Sequence, residues 1–348
     1  MNSTVKDIGY INIAKIVGIF LVVLRHTQIP YPVMVFITGI SMPFFFAVSG
    51  YLISNKTYTF KSFVIRKAKT LLIPYLLFAV VGFLFWYFVE RVYDNGGNDK
   101  QQTLKYLVGI FYAAASKDFL GFNIPIWFLP CLFVSELLFF LARKWAKRYD
   151  FVFILLLFAL GIVIKERLSF RLPWGMDVSF FAVPFLYIGA LVRSKNIVEK
   201  YVLRLNTVMR IVAALLLGIA VARLSFVNTD NGYIMMYALK LNNYFLFFVN
   251  GILGALFILV LSNCFKYFPL SGFYGRNTIV ILGLHLICFK VIKGFMLFAF
   301  NIPLSYYEDL IFSNLFIVIA TFILLTPVVY LINRYIPFLL GRKQAVLS

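Results

Sequence analysis

The chain has 348 residues, a formal net charge of +20 and a mean hydropathy of +0.92. It is 62% hydrophobic and 13% charged, against roughly 25% charged in a soluble domain. That much apolar surface cannot be buried in a water-facing fold of 40.1 kDa, which excludes a cytosolic enzyme, a secreted disulfide scaffold and a disordered chain. The basic residues sit in clusters between apolar runs, the pattern of an inner-membrane protein with cytoplasmic loops rather than of a nucleic-acid binder.

Apolar runs long enough to cross ~30 Å of hydrocarbon fall at 8–27, 33–53, 71–90, 124–142, 149–166, 177–193, 207–226, 241–262, 277–299 and 310–332. The expectation is an all-α integral membrane protein with about ten transmembrane helices in one bundle, a single domain over residues 1–348. The first run carries Asn12 and Lys15 and no small-residue cleavage site follows it, so it reads as a membrane helix and not a signal peptide. The segment 104–116 is apolar but too short to span, and reads as an interfacial or re-entrant helix. Cys131, Cys264 and Cys288 lie in or beside apolar runs without CxxC pairing, as small core residues do. No metal-ligand cluster is present in the pattern.

Ten spans put both termini on one side. With the termini inside, 20 Lys and Arg fall in inner segments and 12 in outer ones, with Lys15 within a span. Most acidic residues, including Asp94, Asp99, Asp118, Glu308 and Asp309, fall outside. The positive-inside rule therefore expects a multi-pass protein of the plasma (inner) membrane with cytoplasmic termini.

Ionisable groups inside spans are costly and mark candidate sites. The chain has two histidines, His26 and His285, and both fall in predicted spans. Histidine is the side chain best suited to moving protons near neutral pH. Lys15 and His26 are eleven residues apart, so they differ by about 20° around the first helix and by about 16 Å along it. Lys15, Gly18, Val22 and His26 form one stripe, with a cation towards the inside and a proton acceptor near the outer end. A snorkelling lysine and an interfacial histidine are the ordinary alternative. In the second span Pro43 can kink the helix, and Ser49-Gly50 lies near its inner end. There backbone can approach a ligand closely, or the small residues can simply pack helices. Arg66 and Lys69 follow, one turn apart on the cytoplasmic side, suited to holding phosphates or to fixing topology.

Trp127 opens the fourth span at the outer interface, where tryptophan is common. Glu136 lies deeper and needs a Lys, Arg or His partner from another helix. Asp177 opens the sixth span beside Pro173-Trp174, to contact an acceptor or cap the helix. Thr278 and His285 share a face of the ninth span, His285 nearer its middle.

Six segments in order, led by a basic residue, ten residues and then histidine (Lys15, His26), resemble the membrane acyltransferase-3 family. The other five are MPFFFAVSGYLI, RKAKTLLIPY, IPIWFLPCLF, LPWGMDVSFFAVPFLYIGAL and GRNTIVILGLHL. The nearest flavour is the fucose 4-O-acetylase-like group, and the resemblance runs from about residue 8 to 333. It implies about ten membrane helices and acyl transfer from a cytoplasmic acyl-CoA to a sugar hydroxyl. Lys15 and His26 match the basic-residue and histidine motif, and Arg66 and Lys69 match the paired basic residues. Ser49, Gly50, Trp127 and Glu136 match less stringent positions. The chain departs from many members at Asn12, which replaces aspartate, and at Ile16 and Arg25, which replace glycine.

The resulting expectation is an integral-membrane O-acyltransferase that moves an acetyl group from acetyl-CoA to a surface polysaccharide or its lipid-linked precursor. Acetyl-CoA is a donor substrate, and no permanently bound cofactor or metal is expected. His26 is the expected general base, supported by Lys15 and Glu136. Arg66, Lys69, Ser49 and Gly50 are expected at the donor, and Trp127, Asp177 and His285 at the acceptor. Expected partners are acyl-CoA, a sugar or lipid-linked glycan, membrane lipid and polysaccharide-synthesis proteins, with no nucleic acid. The competing readings are a transporter of a glycan or lipid and a non-catalytic partner of a polysaccharide synthase.

Overall fold

The computed structural model describes residues 9–53, 58–93, 100–114, 117–230, 232–265, 270–303 and 310–342. Lys6, Lys56, Lys266 and Lys343, counted above for orientation, lie outside them, as do Asp94, Asp99, Glu308 and Asp309. The described residues are nearly all helical and contain no strand, only two isolated bridges.

The long segments are α1 (Gly9–Arg25), α2 (Tyr31–Leu52), α3 (Phe60–Glu90), α4 (Lys100–Tyr112) and α5 (Ile124–Trp145). They continue with α6 (Asp150–Arg167), α7 (Pro173–Ser194), α8 (Thr207–Val227), α9 (Tyr244–Ser262), α10 (Thr278–Phe300) and α11 (Ile311–Tyr335). Eight of these, α2, α3, α5 and α7 to α11, are long and apolar enough to cross a membrane. α1, with 17 described residues, and α6, with 18 residues ending in Lys165-Glu166-Arg167, complete the up-and-down order without meeting that standard. α4 has 13 residues, about 20 Å of helix, and falls short of a span as its sequence implies.

Alternating direction gives the bundle two ends. At the N-terminal face, where α1 begins, the hydroxyls of Tyr10 and Tyr51 and the guanidinium of Arg193 converge on Glu199 Oε1 at 2.9, 3.2 and 3.3 Å. At the opposite face, where α1 ends, Lys290 pairs with Glu90 at 2.5 Å and Lys165 with Glu166 at 3.1 Å. α1 runs through the middle, its Ile11, Ala14, Ile19 and Val23 buried against α2, α9, α10 and α11.

Small residues let these helices meet. Gly50 of α2 and Gly189 of α7 face each other's backbones, and a methyl at either would overlap the carbonyl of Leu186 or Ala47. Gly50 thus serves helix packing. The close approach it permits is to α7, which corrects the expectation that it opens the backbone to a donor. Gly275, in the short helix Ser271–Arg276, lies against Asn12 in the same manner. Asn123 Nδ2 donates to Gly283 O at 2.8 Å and pins the start of α5 to α10.

Candidate active site

His26 follows directly on the last turn of α1. Its ring centroid is 5.1 Å from that of His285 on α10, so the two histidines form one pair. His285 is fully buried. Its Nδ1 lies 3.1 and 3.0 Å from the carbonyls of Ile281 and Leu282. Both are acceptors only, so Nδ1 carries the proton and Nε2 the lone pair. That Nε2 is buried and has no partner among the described residues. His26 Nε2 is 3.3 Å from Arg25 Nη1. A guanidinium has no acceptor, so His26 accepts there and its Nε2 is also a lone pair. Two imidazole bases therefore meet inside the bundle, where α1 ends and about 12 Å along α10 from Asn277.

A cavity of about 20 Å³ adjoins His26, lined by Val22, Arg25, Thr38, Met42, Trp127, Met236 and Tyr237 among others; His285 is not in its wall. It has room for a water or one small polar group. A second cavity, about 30 Å³, shares Val22, Met42 and Leu282 with it and reaches Ile19, Phe45 and Thr278. The two follow the α1 stripe that runs back from His26 through Val22 towards Lys15. A larger cavity of about 210 Å³ lies nearer the N-terminal face, against α1, α2, α7 and α9. Its walls are aliphatic and aromatic with Tyr51 as the single polar side chain in the lining, so it offers no acid–base chemistry.

The loop between α8 and α9 covers the cavity from outside through Ile234, Met236 and Tyr237. Asparagines fasten it. Asn228 Nδ2 donates to Leu241 O at 3.2 Å, Asn228 Oδ1 accepts from Asn243 N at 2.8 Å, and Asn242 Nδ2 donates to Asn228 O at 2.7 Å. Arg171 Nη1 donates to Tyr237 O at 2.5 Å while its Nε pairs with Asp177 Oδ2 at 2.5 Å. Asp177, expected at the acceptor, is thus paired with Arg171, which also holds the Tyr237 carbonyl. Trp127 is buried and its ring stands 6.4 Å from that of Tyr237. The tryptophan expected at a membrane interface is part of the cavity wall.

Glu136 is not brought to His26. Nine residues separate it from Trp127 along α5, about 13 Å. It is buried, with Lys67 Nζ and Ser49 Oγ on its Oε1 at 2.7 and 2.6 Å. Its Oε2 has no partner among the described residues. The expected cationic partner from another helix is present, and it is Lys67, the residue between the pair Arg66 and Lys69. A π-helical turn, Ala68–Leu72, follows Lys67. Such insertions are frequent at functional sites. Arg66 and Lys69 are exposed, Arg66 bonded to the Tyr58 hydroxyl.

Arg342 lies beside them, since a methyl on the preceding Gly341 would touch Lys69 O. Its Nη1 donates to Asn277 Oδ1 at 2.8 Å, its Nη2 to Arg276 O at 2.5 Å, and it also bonds Asn333. Burial and then the neighbouring Arg276 charge push Arg342 below its usual value. The sequence reading missed Arg342, Lys67 and Tyr237, of which only Lys67 carried a signal, its place in the RKAK run; Arg25 was singled out as a departure from the family's glycine but given no role.

A family model described as an acyltransferase domain matches residues 8–334. No curated protein and no solved structure matches the chain.

Proposed function

The chain belongs to the acyltransferase-3 family and is a multi-pass membrane acyltransferase, and from that premise we propose that it transfers an acetyl group from acetyl-CoA to a sugar hydroxyl of a surface glycan or its lipid-linked precursor, as the sugar-directed members of the family do. The observation that carries the proposal is the His26–His285 pair, 5.1 Å between ring centroids, with His26 on a small cavity and a second one beside it along α1.

The N-terminal face is cytoplasmic in this reading, as the excess of Lys and Arg there supports. Acetyl-CoA approaches from that side. Its phosphates rest on Arg66 and Lys69, with Arg342 and Arg276 adjacent, and the pantetheine enters the bundle. An amide N–H of the pantetheine can donate to Glu136 Oε2, the buried oxygen left without a partner. The thioester is carried along the stripe past Val22, and Lys15 supports the donor or developing charge. At the far end the acceptor hydroxyl gives its proton to His26 Nε2, and its oxygen attacks the thioester carbon. The C–S bond then breaks, and the departing thiolate takes the proton back from His26. The site becomes a base and a delivery route joined across the membrane, with no metal in any step.

Labelling of cysteines introduced into the loops checks the sidedness. Positions in 58–60 and 145–149 are expected to react only from the cytoplasm, and those in 100–123 only from outside. External labelling of the first two overturns the arrangement.

Replacing Arg66 and Lys69 together with glutamine is expected to raise the KM for acetyl-CoA more than it lowers kcat, because ground-state and transition-state contacts are lost alike. An unchanged KM with poor membrane insertion assigns the pair to topology. The direct test of function is acetyl-CoA turnover by the purified protein with a glycan acceptor. Movement of the glycan without release of CoA favours the transporter reading.

A further inference from the structure

Arg25 adds a permanent charge to the cavity that transfer to a plain hydroxyl does not require. Its guanidinium lines the cavity beside His26. Among the described residues no carboxylate pairs with it: Asp177 is engaged with Arg171, Glu166 with Lys165 and Glu90 with Lys290, and exposed Asp230 makes no ion pair with it. The groups next to it are aromatic. The Tyr237 ring centroid is 5.8 Å from its Cζ, and Trp127 stands behind Tyr237. A half-buried cation with no counter-ion attracts an anion from outside the protein.

Its one hydrogen bond among the described residues is also informative. By donating to His26 Nε2 at 3.3 Å, Arg25 occupies the lone pair that has to receive the acceptor's proton. While it stays there, the base is capped.

Resting on the acyltransferase reading, we propose that Arg25 selects the acceptor: it pairs with an anionic group, a carboxylate or a phosphate, on an acidic glycan or its carrier, and the pairing draws it off His26 so that the acceptor hydroxyl takes its place. The cavity of about 20 Å³ admits the reacting hydroxyl alone, not a sugar ring, and the anionic group meets Arg25 where it turns away from His26. The ring then lies against the loop of Ile234, Met236 and Tyr237, which the asparagine bonds and Arg171 hold in place. Neutral acceptors leave the cap on the base.

The test uses the full-length protein in detergent with three probes: methyl glucuronide, glucose 1-phosphate and neutral methyl glucoside. Binding is read from thermal stabilisation, and turnover from CoA release. At least one anionic probe is expected to bind about ten- to a hundredfold more tightly than the glucoside, the worth of a hydrogen bond to a charged group. Preference for the glucuronide assigns the anion to an acidic sugar, and preference for the phosphate assigns it to a phosphate-linked precursor. Arg25→Gln should abolish the preference and Arg25→Lys should keep most of it. Equal binding of charged and neutral probes, no binding of any, or a preference that survives Arg25→Gln overturns the proposal. A loss of turnover in Arg25→Gln that is the same for all acceptors also overturns it and makes Arg25 a positioning residue for His26. Preferential binding of anions with no CoA release by the wild type leaves the acceptor proposal standing and removes the acetyl-transfer reading on which it rests.

Discussion

His26→Gln is expected to lower kcat by about 10²–10⁴-fold, the usual worth of a general base. Glutamine keeps the volume and the hydrogen bonding of the imidazole but cannot accept a proton at neutral pH. Donor binding should be largely kept, because Arg66 and Lys69, proposed to hold the donor's phosphates, are on the N-terminal side of the bundle. His285→Gln should cost less, since His26 and not His285 lines the cavity proposed to receive the acceptor hydroxyl. The measurement is acetyl-CoA turnover beside the amount of each variant in the membrane. If His26→Gln stays active and His285→Gln is inactive, the base is His285. If both stay active, neither histidine is the base and the transporter reading leads.

Lys67→Met is expected to cost about 3 kcal/mol of stability, at the low end for breaking a buried ion pair. The side chain of Glu136 is 2% exposed and that of Lys67 21%. Removing the lysine strands a carboxylate whose Oε2 already lacks a partner. The reverse change, Glu136→Gln, should cost less, because Lys67 can extend its long stem towards water. Lys67→Met combined with Glu136→Gln should recover most of the loss, since no buried charge remains. Thermal unfolding of the detergent-solubilised variants reads all three. A double variant as unstable as Lys67→Met alone contradicts the assignment of the cost to the stranded charge.

Much of the fold was legible because lipid imposes a simple rule. Each long apolar run becomes a helix, and that placed the ten segments without tertiary information. The 3.6-residue period put Val22 and His26 on one stripe, and both line the cavity. Two histidines in an apolar chain could be singled out, but their meeting across α1 and α10 depends on packing, which no local pattern encodes. Glu136 shows the same limit: the need for a cation was evident from its place within a span, while the choice of Lys67 over Arg66 or Lys69 depends on how two helices pack. Asp177 and Gly50 went the other way. Polar and small residues near a span's end fit a ligand site and a packing contact equally well, and only the partners Arg171 and Leu186 decide between them. Arg25 stood in the sequence as a departure from the family's glycine, with nothing to say which way its side chain turns. Tyr237 lies in a loop that hydropathy passes over, held by asparagines whose partners are distant or backbone groups.

The central claim is that the donor enters from the N-terminal face and the acceptor reaches His26 from the opposite one. It is tested most directly with oriented proteoliposomes, acetyl-CoA being supplied only at the N-terminal face and a membrane-impermeant glycan only at the His26 face. The account predicts acetylated glycan on the His26 side, CoA released on the other, and neither product with His26→Gln. Acetylation that requires donor and acceptor on the same side, or transfer that proceeds unchanged in His26→Gln, would contradict it.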